Sequence, residues 1–387
     1  MRLKLFSAAL LSLSLPVGAG ELMLFVNPSI REIRWNSPAS ALRTSGWSQI
    51  HNIISHENPA TVTAAVGHVV VHFRCIDRAG KRHEIWTGMT GQNDSKETKV
   101  DLIDDAIGIG VLFKPYKDGA IDPSEKSRNQ VANYYGRLDD DSALVFGRKR
   151  VAPKFLRVPV DAGACERLVD FHQTFKKLSY DKKKVPLDVQ RAKPDHEILS
   201  FGFTIDPYKA YLKLESGEEH VPLGGGCSSF ALAFLKLSGN FDSYFERKFV
   251  RKIEVSEKLI GGAYGRIPGN RVSALDVAYG RAGRSWTVEG FDNRTLRFYD
   301  VQLIWNFIAD AQACVENPNS RDCPEDVQSW LRTQDEVKND TYSFDATRTE
   351  IRRTALASTR GGAPVTFKKE EVTRKVRATR NGIRLGF

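Results

Sequence analysis

Hydrophobic and polar positions along the chain fall into stretches of two different periods. Residues 69–76 (Val69, Val70, Val71, His72, Phe73, Arg74, Cys75, Ile76) are β-branched and apolar, Asp77-Arg78-Ala79-Gly80 supplies turn-forming residues, and 82–88 resumes an extended pattern. That combination predicts a β-hairpin. Residues 101–113 and 142–160 predict further short strands. Across 162–178 the apolar or small positions are Cys165, Leu168, Val169, His172, Phe175 and Leu178, and a spacing of three and four predicts a helix. On this helix His172 reads as a surface or boundary residue. Residues 183–198, rich in Lys, Pro and Asp, read as a loop. Further on, Gly224-Gly225-Gly226 leads into Cys227-Ser228-Ser229 and an almost wholly apolar run to Leu237, the pattern of a buried helix entered through a sharp turn. With no internal repeat, the expected fold class is α+β.

The first residues carry a different signal. Arg2 and Lys4 precede an apolar run from Leu5 to Leu15 interrupted only by serines, Pro16 ends it, and Val17-Gly18-Ala19 puts small residues before a cleavage point. This is the pattern of a secretory signal peptide, too short to span a membrane. The expectation is an exported protein, periplasmic or secreted, whose mature chain starts near Gly20. No apolar run of about 18 or more residues follows, so no transmembrane span is predicted.

Composition adds the compartment chemistry. The 387 residues are 41% hydrophobic and 27% charged, which excludes a wholly disordered or collagen-like chain. Five cysteines are too few for a disulfide scaffold, but export permits disulfides. Cys314 and Cys323 bracket a Pro/Asn/Ser/Asp loop and are the preferred pair; Cys75 and Cys165 could form another, leaving Cys227 outside any disulfide. The net charge of +10 is concentrated at the ends: residues 346–387 hold eleven Lys/Arg against three Asp/Glu, so residues 20–345 are close to neutral. A basic tail of this kind suits an anionic polymer or lipid surface. Specific nucleic-acid binding is not expected, because the tail lacks interleaved aromatics for stacking. The plainer reading is a solvated segment.

Cys227 is the candidate reactive group. A cysteine at the first position of a helix sits beside unsatisfied N–H groups and the positive end of the helix dipole, which stabilise a thiolate. Those same N–H groups, around Gly226 and Ser228, could hold an oxyanion. The plain structural alternative is a cysteine packed as a small hydrophobe. A nucleophilic thiol needs a base, and among eight histidines His68 stands out, following Gly67 at the mouth of the strand Val69-Val70-Val71. His68 and His72 on one strand face lie about 13 Å apart and cannot share a zinc ion. No metal or other cofactor is expected.

Gly67-His68 heading a hairpin, a later helix, and Cys227-Ser228-Ser229-Phe230-Ala231 after a glycine-rich turn resemble the circularly permuted NlpC/P60-like cysteine hydrolases. These are papain-like proteins in which the histidine precedes the cysteine, and they include lecithin:retinol acyltransferase-like proteins. Cys165-Glu166-Arg167-Leu168 and Leu178-Ser179-Tyr180 are similar to the helix and tyrosine before the family's cysteine. The resemblance covers about residues 60–240 and implies a permuted papain-like core with an antiparallel sheet and packed helices. It implies Cys227 as nucleophile and His68 as general base. A third member would stand on the neighbouring strand, where Thr87 has the position and His83 or Glu84 the chemistry. The expected organisation is a signal peptide at 1–19, an N-terminal extension at 20–60, the catalytic core at 61–240, a mixed lobe at 241–345 and a basic tail at 346–387. The function implied is amide hydrolysis through an acyl-enzyme, on peptide or cell-wall substrates. The alternatives are a lipid amidase or acyltransferase on the same core, and a noncatalytic binding or structural protein.

Overall fold

Apolar residues on both faces of one short segment decide the centre of the fold. Gly20–Asn27 (β1) buries Leu22, Leu24 and Val26 on one side and Met23 and Phe25 on the other, as a strand covered on both faces must. The computed structural model describes residues 20–29, 32–54, 67–90, 106–112, 120–121, 124, 127–128, 130–131, 154–180, 199–200, 204–217, 226–317, 321 and 323–337. In it β1 lies between β2 (His68–Ile76) and β5 (Lys154–Val160), antiparallel to both. With β3 (Arg82–Thr90) and β4 (Ala120–Ile121) they form a five-stranded sheet in the order β4-β3-β2-β1-β5. This corrects the expectation of an extension over 20–60, because the chain's first described strand is interior to the main sheet. Residues 1–19, read above as a signal peptide, residues 183–198, read as a loop, the glycines at 224–225 and the basic segment 346–387 lie outside the described residues.

The hairpin forms where the pattern places it. Asp77 accepts the Gly80 amide on its carbonyl and the Lys81 amide on its carboxylate, closing the turn between β2 and β3. Helices follow: α1 (Pro38–Ile54), α2 (Ala162–Tyr180), α3 (Pro207–Glu215), α4 (Cys227–Leu237), α5 (Ser243–Phe249), α6 (Ala274–Ala278), α7 (Val301–Glu316) and α8 (Glu325–Val337). Helices α2, α4 and α7 bury their apolar stripes on one face of the sheet, in a core that also takes Val69, Val71 and Phe73 from β2. Phe234 meets Phe73 at 5.7 Å and Phe171 at 4.9 Å between ring centroids, so α4 is wedged between sheet and α2. Arg167 Nε donates to the Leu237 carbonyl at 3.0 Å while Phe175 meets Phe230, which sets α2 antiparallel to α4. Disulfides join Cys75 of β2 to Cys165 of α2, and Cys314 of α7 to Cys323 just before α8.

A second sheet, β7-β6-β9-β8, is built from β6 (Leu199–Ser200), β7 (Thr204–Ile205), β8 (Val250–Ser256) and β9 (Asn293–Tyr299). Its core includes Ile107, Ile109, Leu259, Ile260, Val277, Leu296 and Phe298. A boundary at residue 240 is therefore not respected: β6 and β7 come from before it, and α7 from after it packs in the first core. Inside this lobe Arg294 donates to both carboxylate oxygens of buried Glu257, at 2.7 and 3.0 Å.

The strand expected within 101–113 is replaced, over 106–112, by isolated bridges at Ile107 and Gly108 and a 3₁₀ turn Ile109–Leu112. Gly108 is the cause. Its φ of +58° is left-handed, and a Cβ there would lie 2.2 Å from the Leu259 carbonyl oxygen. Gly108→Ala is expected to cost more than the roughly 1–2 kcal/mol of left-handed strain alone, because backbone must also retreat. A thermal midpoint within a degree of the parent would contradict this.

Candidate active site

The two residues implied by the resemblance reach the same end of the sheet. Ser228, the second residue of α4, donates its hydroxyl to the Tyr299 carbonyl at 2.8 Å. Gly67 is so close to Val301 that a Cβ on it would lie 2.9 Å from Val301 Cγ1. The starts of α4 and β2 are thus gathered on one junction, Tyr299-Asp300-Val301, between β9 and α7. Asp300 fixes that junction by capping α7 at the Gln302 amide and pairing with Arg251.

Cys227 opens α4 with Gly226 as the N-cap. Gly226 has extended backbone (φ −87°, ψ 166°) and contributes no side-chain acceptor, and no acidic residue lies in the first turn. The N-terminal N–H groups and the dipole are therefore not answered by a carboxylate from the helix itself. Cys227 is half-buried, packs against the main core and stands outside both disulfides. The hydroxyl of Ser228 is spent on Tyr299, so only its backbone N–H could serve an oxyanion.

Register separates the other candidates. Along β2, Val69, Val71, Phe73 and Cys75 face α2 and α4, whereas Val70 belongs to a cluster on the opposite face and His72 stacks on Trp86. Strand alternation puts His68 on that opposite face with Val70. Its pairing with Asn27 keeps it within the regular ladder. Thr87 is opposite Val71, so it lies on the α4 face, fully buried, away from the side of His68. His83 is opposite Cys75 and bound to Asp77 at 2.8 Å. Seven residues of strand, about 23 Å, separate that position from His68. His83 is thereby removed from the third role, and Glu84 instead faces His72 Nε2 at 3.4 Å. The sheet brings Cys227 and Thr87 to one face and His68 to the other.

His172 is buried, which corrects its reading as a surface or boundary residue. Burial, with Lys176 adding to it, lowers its pKa to about 4. The unfolded chain then binds a proton that the folded chain refuses between pH 6.5 and about 4, so stability is complete above pH 6.5 and falls across that window. The expected loss by pH 4 is at most about 3 kcal/mol, since one pKa unit is about 1.4 kcal/mol. His172→Leu should flatten this part of the urea-midpoint profile, and an unchanged slope would exclude His172 as its source.

One arrangement had no sequence signal. Lys236 Nζ pairs with buried Asp206 at 2.6 Å and lies 5.1–5.2 Å from the ring centroids of Tyr208, Phe241 and Tyr299. The cation is supplied by α4 and its cage by three other segments, so no local spacing announces it. Asp206 also caps α3 at the Tyr208 amide, which makes the pair a tie between α3 and α4.

Among the described residues no group of three or more His, Cys, Asp or Glu could hold a metal ion, and no helix is long and apolar enough to cross a membrane. The chain matches no family model, and neither the curated proteins nor the solved structures give a match.

Proposed function

We propose that the chain is an exported cysteine hydrolase that cleaves an amide through an acyl-enzyme on Cys227, with peptides of the cell-wall type as substrate class. The observation that supports this is the position of Cys227: a thiol at the first residue of a buried helix, after a glycine N-cap and with no acidic residue in the first turn, where the helix dipole favours a thiolate or an oxyanion. The thiolate would attack the carbonyl carbon, the amine would leave with a proton, and water would release the acyl group. His68 enters as the base through the family resemblance alone, and its place on the far face of the sheet weighs against it.

The experiment is the pH dependence of alkylation at Cys227 in the folded protein, in parent and His68→Ala. The expected result is labelling near neutral pH faster than for an ordinary thiol of pKa about 8.5. Loss of that reactivity in His68→Ala would establish the Cys–His pair; retention would leave the helix terminus as the activator and remove His68 from the mechanism. Labelling only after denaturation would favour the second reading, a core thiol in a noncatalytic protein, for which the packing of Cys227 against the main core is the supporting observation.

A further inference from the structure

Tyr299, the last residue of β9, holds α4 at both of its ends. Its carbonyl accepts the hydroxyl of buried Ser228 at 2.8 Å, in the first turn. Its ring centroid lies 5.1 Å from Nζ of Lys236, in the last turn. Neither contact takes part in the proposed reaction, yet both act on the helix that opens at Cys227.

The anchor is itself firmly placed. Tyr299 pairs with Val250 across β8 and β9, and the next amide, Asp300 N–H, donates to the Phe249 carbonyl at 2.9 Å. Asp300 also caps α7 and pairs with Arg251, whose guanidinium lies 5.6 Å from the Trp35 ring centroid. The carbonyl that Ser228 reaches is therefore fixed from the strand ladder on one side and from α7 on the other.

The start of α4 has less of its own to hold it. Gly226 is an N-cap without a side-chain hydrogen bond, where a serine, threonine or aspartate would tie down the first turn. The Phe230 amide reaches back to the Gly226 carbonyl at 3.1 Å, and the amides before it belong to the first turn, which has no acceptors within the helix. The tie missing at the cap is supplied by Ser228, one residue beyond Cys227. The helix dipole acts on a charge only within that turn, so it reaches the Cys227 thiolate only while the turn is formed. Resting on the reading of Cys227 as nucleophile, we propose that Ser228 is a positioning residue: by donating to the Tyr299 carbonyl it keeps the first turn of α4 formed and so sustains the thiolate.

The test is the pH dependence of iodoacetamide labelling in the folded full chain, which reads Cys227 because the other four cysteines are held in disulfides. Ser228→Ala should label at neutral pH about two- to fivefold more slowly than the parent, the span of helix-terminus interactions with a charge, and its profile should move to higher pH. Ser228→Thr keeps the donor and should restore the parent profile. Lys236→Met/Asp206→Asn loosens α4 at its other end, where Lys236 pairs with Asp206, and should lower the thermal midpoint without moving the profile. An unmoved profile in Ser228→Ala, or an equal displacement in the Lys236/Asp206 variant, would overturn the proposal and leave Cys227 as nucleophile. A parent that labels no faster than an ordinary thiol of pKa about 8.5 would remove the hydrolase reading and this inference with it.

Discussion

Replacing Cys75 and Cys165 together by alanine is expected to lower stability by about 4–5 kcal/mol, against about 2–3 kcal/mol for Cys314 and Cys323. The difference is a matter of loop length. The first disulfide closes a separation of 90 residues and the second only 9. Loop-closure entropy in the unfolded chain grows with the logarithm of that number. The larger loop also carries the architecture: it ties β2, at the middle of the sheet, to α2, the helix covering it, and both sulfurs lie in the main core. Urea unfolding of the two double variants under oxidising conditions measures the contrast. Equal losses, or a larger loss for the short loop, would show that native packing rather than chain entropy governs these bonds.

Arg294→Ala is expected to cost about 3–5 kcal/mol, as for other buried ion pairs broken from one side. Arg294 meets Glu257 with two parallel hydrogen bonds and also donates to the Tyr264 carbonyl at 3.1 Å. The side chains are 9% and 3% exposed, so removing the guanidinium leaves a carboxylate in a dry lobe. Its remaining partners are the Arg266 amide at 3.0 Å and the half-exposed Arg266 side chain at 3.8 Å. Removing both charges in Arg294→Leu/Glu257→Leu should recover most of the loss, because the penalty is that of an unpaired buried charge. If the single variant loses less than about 1 kcal/mol, water reaches the pair and it behaves as a surface salt bridge.

Local patterns carried much of this fold. The hairpin of β2 and β3 was legible because β-branched residues flank a four-residue turn whose aspartate serves that turn. The helix over 162–178 followed from its spacing, and the entry of α4 at Cys227 followed from glycine giving way to an unbroken apolar run. The disulfide partners could be named as preferences since the loop at 314–323 is short and polar. Nothing local marks β1 as the strand between β2 and β5, because its neighbours are distant in sequence and apolar residues on successive positions do not say which strands cover them. The Glu257–Arg294 clamp was equally invisible: its members are 37 residues apart and each is an ordinary charged residue until the lobe closes over both.

The candidate site divides in the same way. By itself the sequence determined that Cys227 begins a helix, since backbone freedom at glycine and the apolar run are properties of adjacent residues. It also set His68 at the head of a strand. Which face of the sheet His68 occupies was decided only by tertiary structure. A strand exposes alternate residues to opposite sides, and the side taken by α4 depends on which set of β2 residues packs against Phe234. The choice of Val69, Val71 and Phe73 for that role turned His68 and His72 outward and left Thr87 inward. Parity in a strand is local, but what lies on each side of it is not.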